Sequence, residues 1–185
     1  MRLMRRKIDD FLKEWKENKD RLPLIVKGAR QIGKTASIMQ FANDNYRNVV
    51  AINFVLQQKF KSIFDDGYDV DSVVRNITLI NPNIELEPGN TIFFFDEMQD
   101  CPVCATSLKA FKIDGRYDVV CSGSLMGINY QEIESNSVGY KEDYTMHSMD
   151  FEEFLWAKGY DSAFVERLFE KMVSVTPLSS LEMDV

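Results

Sequence analysis

The sequence is short of soft metal ligands. It contains one histidine, His147, and three cysteines, Cys101, Cys104 and Cys121. An odd, small number of thiols argues against a disulfide framework and fits a reducing cytosol. The pair Cys101-Pro-Val-Cys104 has no second ligand pair, so a packing role is expected rather than zinc or redox chemistry. Long apolar runs are lacking as well. The longest lies around Ile92 to Phe95, far below the ~18–20 residues a membrane span requires. The start, MRLMRRKIDDF, has arginines with no apolar stretch behind them, so a secretory signal is not expected. The expectation is a cytoplasmic protein with no membrane partner. Positive charge is also scarce. The net charge is −7, and only residues 1–21 carry an excess of Lys and Arg, eight against five Asp and Glu. An acidic body is a poor general binder of nucleic acid, which needs cations to neutralise phosphates. The basic residues 2–7 alone could touch a polyanion such as DNA, and a solvated helix face is the plainer expectation for them.

The 185 residues are 45% hydrophobic and 28% charged, as expected of a globular chain of about one domain. The pattern divides into a main domain over 1–150 and a terminal helical segment over 151–185. Ile8, Leu12 and Trp15 have helical spacing within 5–18. Apolar runs at 22–28, 48–54, 91–97 and 117–124 predict strands, and 138–149 can hold a fifth. Helical patterns follow Gly33, fill 57–79 with a break at Gly67, cover 107–114, and recur in FEEFLWAKG and SAFVERLFEKMV. Strands alternating with helices indicate βαβ units: an α/β fold with a mainly parallel sheet, ligands binding at the carboxyl ends of its strands.

All the candidate chemistry falls at those ends. Gly28-Ala29-Arg30-Gln31-Ile32-Gly33-Lys34-Thr35 fits G-x-x-x-x-G-K-[ST], and it follows an apolar strand and opens a helix. The loop from Gly28 to Ala36 can therefore cradle phosphates with its backbone N–H groups and the positive end of the helix. Lys34 would reach the β- and γ-phosphates, and the Thr35 hydroxyl would ligate Mg²⁺. After the third strand stand Asp96 and Glu97. Asp96 suits the metal held by Thr35. Glu97 could orient and deprotonate a water, whether it continues the pleat or turns along the edge. Ser122 and Ser124 end the fourth strand in VVCSGS, where a polar side chain could sense the γ-phosphate, although Ser-Gly-Ser also makes ordinary turns. Three reactions stay open on the loop alone: hydrolysis, phosphoryl transfer, or a nucleotide-gated switch acting on a protein or DNA partner. Asn18-Lys-Asp20 lacks the spacing of a guanine-specific motif, and Arg75 and Arg116 are isolated rather than part of a kinase lid. Water is the expected acceptor.

Four blocks, LPLIVKGARQIGKT, IFFFDEMQDCP, SLKAFKIDGRYDVVCSGSLMG and MDFEEFLWAKG, resemble in content and order those of prokaryotic AAA-like P-loop ATPases. The resemblance spans about Phe11 to Gly159. It implies a three-layer core of the ASCE type, with five strands ordered 5-1-4-3-2 and helices on both faces. It implies ATP and Mg²⁺ as cofactors, with Lys34 and Thr35 in Walker A and Asp96 on the metal. It also implies Glu97 as the catalytic acid residue and Ser122 or Ser124 as sensor, and it is compatible with a homo-oligomer or a protein partner. Relatives often carry Gly-Arg shortly before the Phe-Glu-Glu-Phe segment. Here the comparable place reads Gly139-Tyr140-Lys141, which offers no arginine finger. Relatives also continue into a further C-terminal region, of which 151–185 would be the beginning.

Overall fold

The computed structural model describes residues 4–124 and 139–179. Residues 1–3, 125–138 and 180–185, which include the end of the third motif block beyond Ser124 and the first residue of the expected fifth strand, lie outside the described part. Two compact units are present, one of residues 8–148 and one formed by 1–7 together with 149–185.

The larger unit is built on a five-stranded sheet of order β2-β3-β4-β1-β5, with every pair parallel. The strands are β1 (Leu24–Gly28), β2 (Asn48–Asn53), β3 (Thr91–Asp96), β4 (Asp118–Ser124) and β5 (Glu142–Met146). This is the order expected from the sequence, read from the opposite edge. Strand β3 is buried along its whole length, which is why it reads as a continuous apolar run. Its side chains alternate between the two faces. Phe93 and Phe95 join one core with Phe54, Phe64, Val73 and Phe111, and Ile92 and Phe94 join the other with Leu12, Trp15, Ile38 and Phe41. The helices covering these faces are α1 (Lys7–Glu17), α2 (Lys34–Asn45), α3 (Val70–Ile80) and α4 (Cys104–Asp114).

Two helical expectations are refined. The stretch 57–79 divides into a 3-10 turn over Gln58–Phe64 and helix α3, with Gly67 at φ 139° between them. Asp69 caps α3 by accepting from the Ser72 N–H. Helix α4 starts three residues before the expected 107, because Pro102 and Val103 form a turn whose carbonyls receive the N–H groups of Ala105 and Thr106. That turn buries Cys101 and Cys104. Burial pushes the Cys101 thiol up to about 11, and it also raises the Cys104 thiol well above its ordinary value. Both thiols are thereby suited to packing rather than to nucleophilic chemistry.

The smaller unit holds α5 (Phe151–Lys158) and α6 (Ser162–Val173), packed through Leu155, Val165 and Leu168. Asp150 and Glu153 form a capping box at the start of α5. The Glu153 carboxylate also accepts from the Lys7 N–H at 2.8 Å and lies 3.1 Å from the Arg6 guanidinium. Lys7 pairs with Asp150 and Glu152, and Arg5 donates to Ser162 and stacks over Trp156. The basic residues 5–7 are thus engaged within their own unit. Among the described residues no helix is long and apolar enough to cross a membrane.

Candidate phosphate and metal site

Sheet register brings the sequence-predicted residues together. Asn53 lies opposite Asp96 across β2 and β3. Across β1 and β4, Val26 lies opposite Ser122 and Gly28 opposite Ser124. The carboxyl ends of four adjacent strands therefore converge beside the start of α2.

The loop between β1 and α2 turns on Gln31 at φ 63° and Gly33 at φ 98°, both left-handed. Gly28 has a different reason to lack a side chain. A Cβ there would run into the Met146 carbonyl oxygen of β5 and come within 2.7 Å of the Ile32 side chain. Lys34 is buried, and its ammonium donates to the loop's own carbonyls, Gly28 at 3.1 Å and Ala29 at 2.6 Å. Burial lowers its proton affinity, and the nearby Glu97 and Asp96 charges oppose that shift.

Asp96 is the hub. It is buried, and its two carboxylate oxygens accept from three side chains: the Thr35 hydroxyl at 3.2–3.3 Å, the Asn53 amide at 2.9 Å and the Ser122 hydroxyl. A buried carboxylate is tolerable only with such compensation. The strand stops at Asp96, and Glu97 takes the left-handed conformation, φ 56° and ψ 47°. Of the two orientations open to Glu97, the chain takes the turning one. Glu97 lines a cleft of about 650 Å³ with Arg30, Gln31, Gly33, Lys34, Thr35, Ala36 and Asn53. Ser124 lies at the end of β4, where its N–H donates to the Gln99 side-chain oxygen at 3.2 Å.

The donor set fits a hydrated Mg²⁺ with phosphate. A hydroxyl and a carboxylate in contact are hard oxygen ligands of the type that this ion shares with phosphate oxygens and water. Two polar residues of the site escaped the sequence reading. Asn53 ends the apolar run NVVAIN, a polar residue at a strand's carboxyl end, and that position was the available signal. Gln99 stands inside the quoted DEMQ block, but nothing in its spacing indicates that its side chain folds back on Glu97. Among the described residues no cluster of three or more His, Cys, Asp or Glu side chains is placed to hold a metal by itself.

An uncharacterized protein of Haemophilus influenzae is 24% identical over 154 residues, covering 81% of this chain and 36% of the relative. The chain thus spans about a third of the length of that relative. Similar solved structures include PCH-2 of C. elegans (TM-score 0.46, 14% identity, 96% of this chain and 59% of that one). The RuvB Holliday junction branch migration motor of Thermotoga maritima gives 0.45 at 14% identity, over 75% of this chain and 43% of that one. Pif1 helicase from Candida albicans gives 0.49 at 11% identity, over 89% and 43%. The family model AAA_14, described as an AAA domain, matches residues 20–155, from before β1 into α5. The chain belongs to this AAA-domain family of P-loop ATPases.

Proposed function

We propose that this chain binds ATP with Mg²⁺ and hydrolyses it, with Glu97 acting on the attacking water. The observation that carries the reading is the contact of Asp96 with Thr35, beside Glu97 in the cleft that also holds Lys34. When bound, the ion would neutralise charge on the phosphates and make the γ-phosphorus more open to attack. The protein's own residues then have distinct tasks. The loop from Gly28 to Ala36 wraps the phosphates. Lys34 turns from the Gly28 and Ala29 carbonyls to phosphate oxygens. Thr35 and Asp96 hold the metal, and Asn53 and Ser122 fix the Asp96 carboxylate in place. Glu97 takes a proton from the water, and Ser122 or Ser124 at the end of β4 serves as the sensor of the γ-phosphate.

The alternative is a nucleotide-gated switch with little turnover, acting on a protein or DNA. Its DNA version leaned on residues 2–7, and Arg5, Arg6 and Lys7 already have partners in their own unit. A homo-oligomer, a protein partner and a cytoplasmic location belong to the same proposal. So does the division into an ATPase domain over 1–150 and a terminal segment over 151–185.

The test is phosphate release from Mg·ATP alongside nucleotide binding. Glu97→Gln should retain ATP binding and slow hydrolysis by roughly 10²–10⁴-fold, the contribution of a positioned general base. Unchanged hydrolysis would remove Glu97 from the role. Binding without measurable turnover in the unaltered chain would favour the switch.

A further inference from the structure

We infer that Gln99 is a positioning residue, which holds the Glu97 carboxylate and ties it to the end of strand β4. The inference rests on the proposed role of Glu97 as base.

Glu97 leaves the strand in a left-handed conformation, and a 3-10 turn over Met98–Asp100 follows at once. The Asp100 N–H closes that turn on the Glu97 carbonyl at 2.9 Å, and Met98 is fully buried beneath it. The turn therefore brings residue 99 back beside residue 97. From there the Gln99 amide nitrogen donates to the Glu97 Oε2 and, at 3.2 Å, to an Asp100 carboxylate oxygen. Its amide oxygen accepts from the Ser124 backbone N–H at 3.2 Å.

The two ends of one side chain thus meet partners of opposite kind. The partners fix the amide's orientation, because an N–H requires the oxygen and a carboxylate requires the NH₂. Few residue types can do both. Glutamate cannot donate when ionised, and lysine and arginine cannot accept. Asparagine is one methylene shorter. A glutamine here is therefore chemically specified, whereas a solvated turn would accept most polar residues.

The consequence is a fixed base. A carboxylate on a flexible side chain samples several rotamers, and general-base catalysis needs one of them at hydrogen-bond reach of the water. With Oε2 held by Gln99, Glu97 has one rotational freedom removed and Oε1 left to accept the proton. Ser124 lies opposite Gly28, the first glycine of the phosphate loop. The bridge through Gln99 therefore connects the base to the end of β4, which pairs with β1 at the start of that loop, and a shift of the β4 end moves Glu97 with it.

The experiment uses the full chain and single-turnover and steady-state phosphate release. Gln99→Met keeps the length and removes all three hydrogen bonds. Gln99→Glu keeps the acceptor for Ser124 and places a carboxylate against Glu97 and Asp100. Both should lower kcat roughly 10- to 100-fold, the cost of a misplaced catalytic group. KM for Mg·ATP should stay within about twofold, since the interaction acts on the chemical step. In the Glu97→Gln background, Gln99→Met should cause no further loss, because the side chain it positions is already disabled. Unfolding midpoints and nucleotide affinity verify that each variant is folded.

A raised KM with unaltered kcat overturns the inference. So does an equal loss in the presence and absence of Glu97, which would make Gln99 a merely structural residue. If Glu97→Gln is slow and both Gln99 variants are normal, only the role of Gln99 falls. If Glu97→Gln itself is normal, the reading of Glu97 falls and the role of Gln99 with it.

Discussion

At the residue scale, the two glycines of the phosphate loop answer different physical demands. Gly33 sits at φ 98°, where a side chain is strained by its own backbone. Gly28 is required by its neighbours, since β5 passes so close that the Met146 carbonyl oxygen occupies the space a Cβ would take. Backbone cannot yield as a flexible side chain can. Gly28→Ala should therefore force β1 and β5 apart and cost about 1–3 kcal/mol, as overpacking does in other close-packed interiors. Urea unfolding measures that loss, and an unaltered midpoint would mean that the strands slide without cost. Asp96 shows the same logic for charge. Its carboxylate survives burial because Thr35, Asn53 and Ser122, from the phosphate-loop helix, β2 and β4, all donate to it.

At the element scale, helix α3 and the start of α5 show how short polar side chains fix where helices begin. Asp69 accepts from the Ser72 N–H, and this bond holds its carboxyl below the ordinary value of 3.8. A depressed carboxyl stabilises the fold fully above the unfolded value. That stabilisation is lost as pH falls through the lower folded value. Asp69→Asn keeps an oxygen that caps equally well and cannot titrate. It should match the parent near neutral pH and lose less stability below about pH 4, as read from unfolding midpoints across the acid range. In the smaller unit Glu153 both completes the capping box of α5 and receives Arg6 and the Lys7 N–H. The Phe-Glu-Glu-Phe segment thereby gains a reason for its second Glu. Periodicity placed α1 correctly because burial follows it: Ile8, Leu12 and Trp15 are all buried on that helix. It missed the start of α4, where a proline turn rather than an apolar repeat leads into the helix.

At the scale of the whole molecule, nucleotide binding and stability are linked. A ligand that binds only the folded chain stabilises it by an amount set by its excess over Kd. At about 100-fold excess, Mg·ATP should contribute about 2.7 kcal/mol, which raises the unfolding temperature by roughly 5–10 °C for a chain of this size. Lys34→Ala should remove most of that shift, since the buried ammonium lies within the loop, where it donates to the Gly28 and Ala29 carbonyls. Thermal unfolding with and without Mg·ATP measures it, and an equal shift in the variant would show that Lys34 does not contact the nucleotide.

The sequence by itself determined the sheet, the loop and the identity of the acids, because these depend on local pattern. An apolar run bounded by turn residues makes a strand, and two glycines with Lys34 and Thr35 make the strand-to-helix loop expected to cradle phosphate. The strand order 5-1-4-3-2 came from resemblance to a family rather than from any pattern in the residues. Only the tertiary structure decided which polar groups meet. Asn53 reaches Asp96 because β2 and β3 pair in one register, across 43 residues of chain. Gln99 reaches Glu97 because the backbone turns left-handed at one position. Hydrogen bonds of that kind depend on register and on single torsion angles, and neither is written in the spacing of residue types.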